Sequence, residues 1–162
     1  MNKFFVCVIY LIAIGILSNP AAKLINRDNI DYTKFPYRSY SFERGGKIYE
    51  KIGIRFWKDK VPDMSAVLKH LIKKEVRFKS SAADVLRQIQ ETCVAEITHH
   101  ALIILSLPML IYWKSKWAFF CEAIYILLLN LPFILIQRYN RPRLIALYRR
   151  KLTTEGLKQE YA

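Results

Sequence analysis

The chain has only three cysteines in 162 residues, Cys7, Cys93 and Cys121. Their number is odd and two lie inside apolar runs, which excludes a disulfide framework as the source of stability. Histidine is equally scarce, and the single Glu-x-x-His step, Glu96 to His99, has no second copy. A di-iron carboxylate bundle needs two such steps, so neither a metal nor a cofactor is expected. Acidic residues are few, 13 against 26 Lys and Arg, for a net charge of +13. No internal repeat or low-complexity stretch is visible, and the apolar residues are bunched into segments rather than spread as in one globular core.

What is present is three apolar runs. The first extends from Phe4 to Leu17 and on through Pro20 to Ile25, the second from Ala101 to Trp113 with a possible start back at Thr92, and the third from Trp117 to Ile136. A segment of about 20 residues crosses a bilayer, so the expected fold class is all-α, a multi-pass membrane protein with about three transmembrane helices and a cytoplasmic amphipathic helical loop. The basic residues sort accordingly. Fifteen lie between Asn26 and Ile97 and seven follow Gln137, while only Lys3 precedes the first run and only Lys114 and Lys116 join the second and third. A soluble chain so charged would suit nucleic acid. Here the positive-inside bias explains the charge without it, and places the loop and the tail in the cytoplasm against an anionic membrane surface. Ser18-Asn19-Pro20-Ala21-Ala22 is a poor cleavage site, so the first run reads as an uncleaved anchor.

One membrane domain is therefore expected. Residues 1–25 form the anchor, 26–91 a basic, aromatic-rich loop, 92–144 a helical hairpin, and 145–162 a basic tail. Tyr32, Phe35, Tyr37, Tyr40, Phe42, Tyr49, Phe56 and Trp57 are interleaved with Lys and Arg, a composition suited to headgroup depth. Gly45-Gly46 marks a turn. Pro62-Asp63 opens a basic amphipathic helix that carries Met64, Val67, Leu68, Leu71, Ile72 and Val76 on one side. Ser81-Ala82-Ala83-Asp84 has capping-box form and starts a helix that can run unbroken into the second apolar run. The short Lys114-Ser115-Lys116 link makes the last two runs antiparallel. That geometry brings the Glu91 to His100 stretch beside Gln137-Arg138-Tyr139-Asn140-Arg141-Pro142-Arg143-Leu144.

Glu96 and His99 share a helix face, so a carboxylate could fix the tautomer of an imidazole base. The bland alternative is that both are ordinary polar residues at an interface, and for the arginines it is topology anchoring. Cys93, one turn from Glu96, is only a minor alternative as a thiol nucleophile. Glu122 inside the third run, costly to bury, by default suggests function, although its closeness to Lys116 makes an interfacial pair the weightier reading.

Three blocks, read in order, resemble the glycosyl-4,4'-diaponeurosporenoate acyltransferases, small bacterial membrane proteins of carotenoid pigment synthesis. They are the octapeptide from Gln137 with Asn130 and Pro132 upstream, then Glu91-Thr92, Ala95-Glu96 and His99, and more weakly Phe42-Glu43, Gly46-Lys47, Arg55 and Trp57-Lys58. His100 departs from the family's aromatic at that place. The His and Asp motif of glycerolipid acyltransferases is absent, its nearest string being His70-Leu-Ile-Lys-Lys-Glu75.

The resemblance implies a membrane acyltransferase that esterifies a sugar hydroxyl of a glycosylated carotenoid or similar glycolipid with a fatty acyl group. Its partners would be a fatty acyl donor, acyl-CoA or acyl carrier protein, and a lipidic glycoside acceptor. His99, Glu96 and Glu91 are the catalytic candidates. Gln137, Arg138, Tyr139, Asn140, Arg141, Arg143, Trp57 and Lys58 are the substrate-binding candidates, the arginines for donor phosphates and for the developing oxyanion. A non-enzymatic lipid-binding or scaffold protein is the alternative reading.

Overall fold

The computed structural model describes residues 3–61 and 81–160, with side chains through residue 156. The amphipathic helix expected from Pro62 to Val76 lies outside the described residues. Among those described, every regular element is helical. The longer helices are α1 (Lys3–Leu24), α4 (Ala82–Ser106), α6 (Lys116–Leu129) and α7 (Leu131–Glu160), with short helices α2 (Lys47–Glu50), α3 (Ile54–Trp57) and α5 (Pro108–Trp113) between them. Three continuous stretches, Lys3–Leu24, Ala82–Trp113 and Lys116–Gly156, are long and apolar enough to cross a membrane.

Local chemistry sets the helix boundaries. Ser81 Oγ accepts the Asp84 backbone N–H at 3.2 Å, and Asp84 Oδ2 accepts the Ser81 N–H at 3.0 Å. This reciprocal pair satisfies two of the N–H groups that a helix start leaves open. α4 yields to α5 at Pro108, which has no N–H to give to the preceding turn. At the reversal Lys114 adopts a positive φ of 34°, and the Ser115 hydroxyl accepts the Ala118 N–H at 3.3 Å to cap α6. Pro132 similarly separates α6 from α7 at Asn130, whose backbone is non-helical. The last helix does not stop where the apolar run ends at Ile136; it continues through the arginine motif and past Pro142.

Much of the bundle's outer surface is apolar. Phe5, Ile9, Ile12 and Ile16 on α1 are exposed, as are Ile104 and Leu105 on α4 and Phe119, Phe120, Leu127 and Leu128 on α6. Patches of this extent need a lipid or protein cover. Inside, Cys7, Leu11, Leu102, Met109, Ala118, Cys121 and Tyr125 form one core. In lipid the hydrophobic effect does not drive helices together, so packing and interhelical hydrogen bonds must hold them. Tyr10 OH donates to the Leu105 carbonyl at 2.6 Å, joining α1 to α4. Ser106 Oγ donates to Glu122 at 2.7 Å, joining α4 to α6. Glu122 thus takes Ser106 as its partner, not the Lys116 that its sequence neighbourhood suggested.

α4 and α7 make the most extensive helix pair. Over their polar ends lies the segment 25–61, which carries two 3-10 turns, Arg27–Asn29 and Ser41–Gly46, besides α2 and α3. It has a small core of its own, Tyr49 and Ile54 against Tyr139 of α7.

Candidate functional site

Positions 138 and 141 are one helical turn apart, so both arginines point from α7 toward α4. They meet Glu96, which is 2 % exposed. Arg138 Nη1 donates to Glu96 Oε1 at 2.6 Å, and Arg141 Nη2 donates to Glu96 Oε2. One carboxylate therefore bridges two guanidinium groups. The second carboxylate comes from the overlying segment: Arg138 Nε donates to Glu43 Oε1 at 2.5 Å. Tyr49 OH donates to the same oxygen, and the Tyr40 N–H donates to Glu43 Oε2 at 2.6 Å. Two buried acids thus balance two bases, the condition under which burying such charges is tolerated.

Most of the remaining donors are also used. Arg141 Nε donates to Thr92 Oγ1 at 2.9 Å, and Nη2 and Nη1 donate to the carbonyls of Thr92 and Tyr37 at 3.1 and 2.7 Å. Arg138 donates through Nη2 to the Arg38 carbonyl at 3.2 Å, with Nη1 3.4 Å from that of Pro36. It also lies over the Tyr40 ring, 5.0 Å from its centroid. The arginines are thereby fixed in orientation, and the overlying segment is sewn to the hairpin.

Glu43 loses solvation on burial, yet the bonds from Arg138, Tyr49 and the Tyr40 N–H outweigh that cost and hold its carboxyl below the usual range. Burial and the adjacent Glu43 push the Tyr49 phenol up to about 12. Gly46 explains why a glycine stands beside this pair. Its φ is +90°, and a Cβ there would sit 3.1 Å from Arg143 Nη1 and 3.2 Å from the Tyr139 carbonyl.

The other candidates are distributed around this network. Arg143 stacks on the Tyr139 ring at 3.5 Å and donates to Glu50 at 2.7 Å. Glu50 is shared with Arg55, whose Nε reaches the Tyr139 hydroxyl at 3.3 Å. Trp57 donates to the Ile52 carbonyl and packs on the small core, and Lys58 pairs with Asp59. Glu91 is exposed and meets Arg27 at 3.1 Å and Arg87 at 3.4 Å. Gln137 and Asn140 are half-buried on α7.

The two histidines differ. His99 Nδ1 is 3.0 Å from Asn130 Oδ1, and its ring stacks on Phe133 at 4.8 Å. Asn130 Nδ2 donates to the Tyr125 carbonyl at 2.8 Å, which fixes Oδ1 as the acceptor and therefore puts the His99 proton on Nδ1. Glu96, already committed to two arginines, is not what orients His99; Asn130 is. His100 Nδ1 lies 2.8 Å from the Glu96 backbone carbonyl, which can only accept.

A cavity of about 450 Å³ opens beside the network, with Phe35, Pro36, Tyr37 and Tyr40 on one side and Glu96, His100 and Arg138 on the other. Residue spacing signalled Glu96 and the arginines but not the cavity's aromatic wall, which comes from a segment some 60 residues earlier in the chain. Asn130 beside Pro132 was the one available signal for the His99 contact.

Fold and site together define a helical membrane protein in which a closed set of carboxylates and guanidinium groups supports an aromatic-rimmed cavity. The model of the glycosyl-4,4'-diaponeurosporenoate acyltransferase family matches residues 33–150, which contain every side chain of the network. A glycosyl-4,4'-diaponeurosporenoate acyltransferase of Staphylococcus aureus (strain N315) is 32% identical over 115 residues, 70% of this chain and 68% of the relative. The protein of that name from the bovine RF122 / ET3-1 strain is 31% identical over the same length and shares. The chain belongs to this family and is an acyltransferase. No solved structure matches it.

Proposed function

We propose that the chain esterifies a sugar hydroxyl of a glycosylated carotenoid, or of a closely similar glycolipid, with a fatty acyl group. The observation that carries this reading is the cavity: it joins aromatic rings to a fixed cation, Arg138, and an imidazole, His100, at the polar end of an apolar bundle. Flat rings suit the C–H faces of a sugar, and the lipid part of such an acceptor can remain in the bilayer beside the exposed apolar helix surfaces.

The reaction is acyl transfer. An imidazole of the 99–100 step takes the proton from the sugar hydroxyl, the sequence pointing to His99, whose tautomer Asn130 sets. Glu96 holds Arg138 and Arg141 in place. Four of the five N–H groups of Arg138 are engaged, and the fifth is directed to the oxyanion of the acyl carbon. The donor is an acyl-CoA or acyl carrier protein. Its phosphate meets the exposed cations Arg44, Lys47 and Lys51, because Arg138 and Arg141 are already neutralised. Segment 26–91 and the basic tail lie on the cytoplasmic side, following the charge bias.

Pigment and lipid extracts of cells with and without the chain test this. The expected outcome is loss of one acylated glycolipid with accumulation of its unacylated precursor. Identical extracts would refute the reading and favour a scaffold.

A further inference from the structure

The structure assigns a second subsite, about 20 Å along the helix axis from the cavity beneath the overlying segment, that holds the far end of the acceptor's rigid apolar chain. This assignment rests on the proposed acyl transfer to a glycosylated carotenoid, whose sugar occupies the first cavity. The subsite is a cavity of about 280 Å³ lined by Tyr10, Pro108, Met109, Tyr112 and Trp113, at the opposite end of the bundle. The acyl-transfer chemistry uses none of these residues.

Three features tie the two cavities together. First, both open on the one continuous stretch Ala82–Trp113, where Ile97 lines the first and Pro108 and Tyr112 line the second. Ile97, Ala101, Ile104, Pro108 and Tyr112 follow one another at steps of three or four, so they share a face. Ala101, Ile104 and Pro108 are exposed, and no Lys, Arg, Asp or Glu occurs between Ile97 and Trp113. Second, the far cavity closes this apolar stripe. Tyr10 of α1 spends its hydroxyl on the Leu105 carbonyl at 2.6 Å, and its ring meets that of Trp113 at 6.0 Å. Third, the path from Ile97 to Tyr112 rises about 22 Å. That is most of the roughly 30 Å hydrocarbon thickness, so a chain on this path stays within the bilayer.

A conjugated chain is the occupant that fits. Being straight and rigid, it lies along a helix face without the loss of conformational freedom that a flexible chain suffers on binding. Its flat end can stack among the Tyr10, Tyr112 and Trp113 rings. Ala101, the smallest side chain on the stripe, lets such a rod approach the helix backbone just beyond the sugar. The donor's fatty acyl chain is flexible and has only to deliver its carbonyl carbon, so a distant fixed end serves it less. Contacts made by the polyene at the far end hold the sugar hydroxyl at the reacting centre, the usual use of remote binding energy.

The test uses membranes containing the full chain, acyl-CoA donors of several chain lengths and the unacylated glycosylated carotenoid fraction. Tyr112→Ala removes an exposed ring from the far cavity, and Ile104→Trp puts bulk on the path; neither side chain belongs to the buried core. We expect KM for the glycosylated carotenoid to rise about tenfold in each, the size of a lost apolar contact. With kcat little changed, this is the pattern of lost uniform binding. Tyr112→Phe, which keeps the ring, should keep the wild-type KM, and the preferred acyl length should be the same in all three variants. An unchanged KM in Tyr112→Ala and Ile104→Trp, even with kcat reduced, would overturn the subsite while leaving the acyl-transfer reading intact. A shift in preferred acyl length would give the path to the donor's chain and overturn it equally. A wild-type chain that forms no ester from this fraction overturns both.

Discussion

At the scale of single residues, Glu43 does more than its position in a loop suggests. It is 2 % exposed and takes bonds from Arg138, Tyr49 and the Tyr40 backbone. Its native carboxyl is held below the usual range, so the unfolded chain binds the proton more readily and folding stability depends on pH. The sign follows directly. The contribution is complete above the ordinary glutamate value, about 4.3. It declines as pH falls from there toward the lowered native value. Tyr49 acts at the other end: its phenol is raised to about 12, so stability falls as pH rises from about 10, the ordinary tyrosine value. Glu43→Gln removes the charge from both arms. Thermal melts in detergent should show a loss of about 1.5–3 kcal/mol at neutral pH, the worth of a hydrogen bond to a charged group. They should also show a flatter acid limb. A variant with the wild-type acid limb would mean that another carboxylate controls it.

Elements differ in how far their neighbours could be read from sequence. The capping box at Ser81, the three apolar runs and the Lys114-Ser115-Lys116 reversal are local devices, legible because spacing and turn chemistry act over a few residues. The lid formed by segment 25–61 was not legible as structure. Its contacts join Glu43 to Arg138 and Gly46 to Tyr139, about 95 residues apart, and nothing periodic announces such pairing. Only the family resemblance singled out Phe42-Glu43 and Gly46-Lys47, without saying what they do. Glu96 and Arg138 are 42 residues apart and His99 and Asn130 31. The hairpin brought the Glu96 stretch beside the arginines, but helical spacing offered Glu96 to His99 while the fold gave it to the arginines, and nothing local assigned Asn130 to His99. Gly46 tests how this lid is seated. Gly46→Ala meets both a positive φ and atoms at 3.1 and 3.2 Å, whereas a Cβ added at Gly45, also at positive φ, would meet open space. Both substitutions carry backbone strain of order 1–3 kcal/mol. Only Gly46→Ala should also lift the lid from α7, seen as faster proteolysis between α1 and α4 and loss of activity. Equal proteolysis of the two variants would show that the close approach to Tyr139 is not what seats the lid.

Across the whole molecule, charge and apolar surface are segregated along the helices. Among the described residues one end carries the lid, the Glu43, Glu96, Arg138 and Arg141 network and most of the basic residues; the other carries the start of α1 and the Trp113 to Trp117 reversal, with only Lys3, Lys114 and Lys116. Basic side chains stay on the cytoplasmic side of short loops, and each gains about 1 kcal/mol near an anionic surface. The lid and the cavity beneath it are therefore proposed to face the cytoplasm, where acyl thioesters are available. Cys7, Cys93 and Cys121 are buried, so an introduced thiol can be labelled against a low background. Lys51→Cys places one on the exposed lid, and Lys116→Cys places one at the opposite end. In intact cells a membrane-impermeant maleimide should label Lys116→Cys and leave Lys51→Cys unmodified until the membrane is permeabilised. Labelling of Lys51→Cys in intact cells would put the cavity outside, and the donor would then have to be an acylated lipid of the outer leaflet instead of a thioester.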